Sequence, residues 1–208
     1  MIPMKNIAQN FSRKSFSILV ILLVSQFVWV VAASAADDEK QSSTHPHARR
    51  DGFYSGITTG ALFYTAGDRS LFEDGWVVGF KAGYDFIKYV GVEGMFKFSA
   101  HDSRFGSPAQ GTPFSFMVYQ YIAQLKGHYP ITSRLRIEFG AGGGAFDSHP
   151  NQKRTVGDGM RGMGYGEFGV QYFTRIRGLS IGLDPSVAGV QNLKGAVVQA
   201  TGFVRYTF

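Results

Sequence analysis

His101 and Ser103 are one residue apart and carry the side chains of a base and a nucleophile. In nucleophilic hydrolysis the imidazole takes the hydroxyl proton, and an acid holds the imidazole in place. Asp102, between them, points to the opposite side if the segment is extended. The next acidic residue along the chain is Glu138, so the pair reads as a polar loop entrance without a third member. Asp147, His149 and Asp158 share one predicted loop and could meet a cation, but they lack the ligand register of a calcium loop. His45 and His47 have no third ligand near them. Gly140 to Gly144 is glycine-rich but lacks the Gly-Lys-Ser/Thr that a phosphate-cradling loop needs. No metal, no cofactor and no catalytic set is expected.

A larger set of chemistry-bearing residues is charged. Lys81, Asp85, Glu93, Lys97, Lys126, Arg136, Glu138, Glu167, Asp184 and Arg205 are half basic and half acidic. Each interrupts a run in which apolar residues recur at every second position, the period of a strand with two different faces. Eight such runs follow Gly52. The spacing predicts strands at Phe53–Thr65, Trp76–Phe86, Tyr89–Ala100, Phe114–Tyr129, Leu135–Phe146, Arg161–Phe173, Leu179–Val190 and Ala196–Phe208. In the last, Ala196, Val198, Ala200, Gly202, Val204, Tyr206 and Phe208 form an apolar face. Gln199, Thr201, Arg205 and Thr207 form the other, with Val197 and Phe203 as exceptions. No stretch in this region carries a 3.6-residue apolar period, so no substantial helix is expected.

The connections alternate in length. Ile87-Lys88, Pro130–Ser133 and Thr174–Gly178 are tight turns, and between them fall the longer segments Ala66–Gly75, His101–Pro113, Asp147–Met160 and Gln191–Gly195. Alternating links and an even count of strands match a transmembrane barrel with short periplasmic turns and longer outer loops. A charge on the lipid face near mid-membrane costs about 2–4 kcal/mol, so the ten charges must face the lumen. An eight-stranded lumen is narrow enough for side chains to fill it. Inner glycines, including Gly79, Gly83, Gly91, Gly140, Gly142, Gly144 and Gly182, leave room for long neighbours. Counted inward from the turns, Glu93, Glu138, Glu167 and Asp184 lie about four to six residues up their strands, with Lys81 at a similar height and Lys126 and Arg205 slightly lower. These seven are expected to form an ion-pair network that blocks a continuous channel. The rival is a narrow pore with hydrated charges.

The segment before the strands reads as export machinery. Lys5, Arg13 and Lys14 precede an apolar run from Phe16 to Val31, and Ala33-Ser34-Ala35 fits signal cleavage after Ala35. Residues 36 to 51 are polar and aperiodic, a disordered periplasmic leader. Removing the signal takes three of the 21 basic residues and none of the 15 acidic ones, leaving an excess of only three, too mild to suggest nucleic acid. With no cysteine there is neither a disulfide framework nor a lipid anchor on cysteine.

Together these patterns resemble the eight-stranded outer-membrane barrels of the OmpA/OmpX type, a broad group that includes small opacity-like surface proteins. The ending Tyr206-Thr207-Phe208 is similar to the C-terminal signal read by the barrel-assembly machinery, and Gly202, Tyr206 and Phe208 are its expected elements. The resemblance implies an all-β, eight-stranded antiparallel up-and-down barrel over residues 52–208, in the bacterial outer membrane, monomeric and without an appended peptidoglycan-binding domain. It also implies a structural or surface-interaction role. Lipid A deacylases resemble this chain in size and use a His-x-Ser pair with a Glu. Only His101 and Ser103 carry over, so the alternative of a lipid-A-modifying enzyme is the weaker one. On the outer side, Lys153, Arg154 and Arg161 are expected to meet lipopolysaccharide phosphates, and outer-membrane lipids are the remaining partners.

Overall fold

The computed structural model describes residues 52–65, 73–102, 115–149 and 160–208. The expected signal peptide and leader, Ser103, Lys153, Arg154 and Asp158 lie outside the described residues. Eight strands follow one another: β1 (Gly52–Tyr64), β2 (Gly75–Ile87), β3 (Val90–Asp102), β4 (Ser115–Pro130), β5 (Leu135–His149), β6 (Arg161–Phe173), β7 (Leu179–Val190) and β8 (Ala196–Thr207). Each pairs antiparallel with the next. β8 returns to β1, from Tyr54 opposite Thr207 to Tyr64 opposite Val197, so the sheet closes into a barrel without edges. No helix occurs among the described residues.

Alternation decides what each strand buries. Phe80, Tyr84, Phe86, Tyr121, Leu125, Phe139, Phe168, Val204 and Tyr206 are exposed on the outer wall, while the charged and amide side chains between them are buried in the lumen. β3 and β5 are longer than their alternation predicts. His101 and Asp102 belong to β3, and Asp147, Ser148 and His149 belong to β5 rather than to loops.

Two local features bend the wall. In β5, Gly142 and Gly144 keep the inner parity, opposite the buried Gln124 and Ile122, although their bare backbone is exposed. The strand lies so close to β4 there that a Cβ on Gly144 would lie 1.8 Å from the Tyr121 carbonyl oxygen. In β7, Pro185 sits mid-strand and has no N–H to offer. The β6–β7 register skips Phe168 and Gly169 on one side and Asp184 and Pro185 on the other. A Cβ on Gly169 would lie 2.3 Å from Asp184 Oδ1, so the carboxylate occupies the space that glycine leaves.

A two-layer lumen as the candidate functional site

The half of the lumen nearest the short turns is ionic, and each carboxylate there is held by cations from other strands. Lys81 of β2 reaches Asp184 of β7 at 2.6 Å and stands 4.0 Å from Glu93 of β3. Lys126 of β4 sits among three carboxylates: Glu167 at 2.6 Å, Glu138 at 3.0 Å and Glu93 at 3.5 Å. Glu93 also accepts hydrogen bonds from Tyr54 Oη at 3.0 Å and Gln124 Nε2 at 2.8 Å. All seven residues named in the expected network are therefore brought together, with Arg205 joining Glu138 at 3.5 Å.

The network is larger than that set. Nearest the turns, Asp85 is bound by Arg205 Nη2, by Arg136 Nη2 at 3.2 Å and by His128, whose Nε2 lies 3.0 Å from Oδ1. Arg136 also grips Glu138 at 2.7 Å. Asp85 and Arg136 share the inner face by alternation, but counting heights along single strands places them below the layer. Strand tilt and stagger bring the ends of β2, β4, β5 and β8 to one level. His128 has the same parity as Lys126, which was the available signal. Three cations also rest on aromatic faces: Arg205 over Tyr54 at 3.4 Å, Lys81 over Phe203 at 3.6 Å and Arg136 over Phe173 at 5.2 Å. Phe203, an apolar exception on the polar face of β8, is thus the platform for a buried lysine.

Above this network lies a band of neutral polar groups. Lys97 makes no ion pair among the described residues. It donates to Tyr165 Oη at 2.9 Å and Gln199 Oε1 at 3.0 Å, and Tyr165 passes the link to Glu167 at 3.1 Å. Gln199 in turn donates to Gln120 at 2.8 Å.

Toward the loop end an apolar cluster fills the lumen around a few buried polar groups, Ser99, His101, Ser148 and Arg161. Leu62 and Tyr64 of β1, Val77 of β2, Phe116 and Val118 of β4, Phe146 of β5, Met163 of β6, Val190 of β7 and Val197 of β8 are all buried in one cluster. Composition along single strands hides this layer, because each strand contributes only one to three members; Val197 was its visible trace. His101 lies within it, stacked on Phe116 at 5.4 Å and edge-on to Tyr64 at 5.2 Å. Its Nδ1 lies 3.0 Å from the Glu73 carbonyl oxygen and its Nε2 lies 2.7 Å from Ser99 Oγ. The imidazole is therefore engaged with Ser99, inside the barrel and beneath aromatic rings, and away from the outer wall where a lipid substrate would approach. Asp102 points outward and accepts from Ser115 at 2.6 Å.

Arg161 departs from expectation. It is only 6% exposed and its Nη1 reaches the Gln191 carbonyl oxygen at 3.5 Å, so it faces the lumen rather than the outer surface. As the first residue of β6 it shares parity with the buried Met163 and Tyr165, which fixes its direction. At the opposite end, Phe208 is 73% exposed, donates its N–H to the Phe53 carbonyl at 3.0 Å, and packs its ring 5.5 Å from Phe53 and 5.2 Å from Tyr206. Gly202 faces outward on the same strand, with room for a Cβ.

This geometry is that of a membrane barrel with a filled interior, and a family model describing an outer membrane protein beta-barrel domain matches residues 24–200. The chain belongs to that family. Among solved structures, Neisserial surface protein A is similar, with a TM-score of 0.55 at 14% identity over 76% of this chain and 97% of that one. The outer membrane protein OprG of Pseudomonas aeruginosa follows, with a TM-score of 0.52 at 11% identity over 78% and 99%. The outer membrane enzyme PagL is also similar, with a TM-score of 0.43 at 8% identity over 75% and 99%. No curated protein matches the sequence. The bacterial outer membrane is therefore the location of this barrel, and likeness at these identities is likeness of fold.

Proposed function

We propose that this protein is a closed, non-catalytic outer-membrane barrel of structural or surface-interaction type, acting as a monomer. The observation that carries the reading is the lumen: an ionic layer joined across β2 to β8, capped by an apolar layer drawn from all eight strands. Water and ions need a continuous polar path, and an apolar constriction excludes them. The Ser99–His101 pair, sealed within that cap, then acts as a polar fastening between β3 and the segment before β2. Planar-bilayer recording of the purified barrel tests the reading. Silence or rare small openings are expected, and a steady large conductance would overturn it.

The surface-interaction part rests on the outer loops. Lys153 and Arg154 meet lipopolysaccharide phosphates through charge and hydrogen bonding, and Arg161 does not join them. Replacing Lys153 and Arg154 by Ser should weaken lipopolysaccharide association at low ionic strength, where surface charge is least screened. Unchanged association there would remove the loop from the account.

A further inference from the structure

The end of the barrel that carries the short turns has an unusual composition. Each of its three turns presents an exposed isoleucine beside a basic residue: Ile87 with Lys88, Ile131 with Arg134, and Ile176 between Arg175 and Arg177. The three isoleucines are 47%, 51% and 63% exposed, and no acidic residue occurs in any of these turns. The described residues at the loop end have the opposite bias, with Glu73, Asp74, Asp102 and Asp147 against Lys194 and the buried Arg161. The turns are also fixed in place. Thr132 Oγ1 accepts from the Arg134 and Leu135 N–H groups, and Thr174 Oγ1 accepts from Ile176 N–H and donates to the Leu179 carbonyl. Phe173 N–H donates to the Arg134 carbonyl at 2.8 Å, and His128 N–H to that of Tyr89 at 2.9 Å. Tyr89, Tyr129, Tyr206 and Phe208 stand exposed just beside the turns.

Short turns face the periplasm in bacterial barrels. Isoleucine is an uncommon choice for a turn tip in water, and Lys88, Arg175 and Arg177 beside these tips are complementary to anions. The two features are met together at a lipid interface, where apolar tips lie against the headgroup region and cations meet phosphates. We propose that this rim is a docking surface for anionic phospholipid headgroups of the inner leaflet, which tether the barrel to that leaflet by Lys88, Arg175 and Arg177. Tyr129 and Tyr206, on the strands just inside the turns, set the depth, and Ile87, Ile131 and Ile176 lie against the headgroup region beside these cations.

The test uses the mature chain folded into nanodiscs of phosphatidylcholine with an equal share of phosphatidylglycerol, then native mass spectrometry of the lipids retained after detergent extraction. The parent protein should retain phosphatidylglycerol preferentially, with a preference that falls as salt rises. Replacing Lys88, Arg175 and Arg177 by Gln should cut that preference by about tenfold or more. A second variant, Arg175→Lys with Arg177→Lys, should keep it and guards against a folding defect. Equal retention of the two lipids by the parent, or an unaltered preference in the Gln variant, would overturn the proposal. So would rim-dependent co-sedimentation with purified peptidoglycan in a protein that shows no lipid preference, since the rim would then be read by the cell wall.

Discussion

Lys81 holds Asp184 at 2.6 Å and rests on the Phe203 ring, with both charged side chains all but sealed from solvent. Removing one partner of a dry pair leaves the other charge buried without compensation. Lys81→Met should cost about 3–5 kcal/mol in denaturant unfolding. The paired change Lys81→Met with Asp184→Leu should recover most of that loss, because an apolar pair of similar size removes both desolvation penalties. A hydrated pair would behave differently: Lys81→Met alone would be nearly neutral. The same reasoning separates Lys97 from its neighbours. It has only neutral hydrogen-bond partners, so Lys97→Met strands no carboxylate and should be milder than Lys81→Met.

Strands are where glycines divide into two kinds. Gly144 leaves no space between β5 and β4, whereas a Cβ on Gly164 would meet nothing within 4 Å. Gly144→Val should therefore abolish the heat-modifiable folded form on gels, and Gly164→Val should leave it intact. The closing strand gives a second contrast. Deleting Phe208, or changing it to Ala, removes the ring that packs on Phe53 and the expected assembly signal together. Export should continue while outer-membrane levels fall, and normal levels would refute the assignment. The strands themselves were legible in the sequence because a period of two is a local signal, and each charged residue had to be inside on energetic grounds. What was not legible was height. Asp85, His128 and Arg136 join the network, and Phe146 and Met163 join the apolar cap, only through tilt and stagger, which depend on all eight strands at once. Arg161 was misdirected for a simpler reason: its charge suggested the outer loop, while its parity with Met163 pointed inward.

For the whole molecule, the proposed closed lumen makes the two layers seals in series. Thinning the cap with Phe146→Ala and Met163→Ala should not by itself raise conductance, since the ionic layer below still closes the lumen. Breaking both layers should; an open pore in the cap variant alone would show the ionic layer to be permeable. The ionic layer also has a consequence for the order of assembly. Asp85 on β2 meets its first arginine, Arg136 on β5, 51 residues later in the chain, and its second, Arg205 on β8, 120 residues later. A hairpin or half-sheet that entered the hydrocarbon early would carry naked carboxylates with it, so partial insertion is uphill at every stage. The barrel must reach the bilayer nearly closed, and its insertion kinetics should look like a single concerted event rather than a ladder of hairpins.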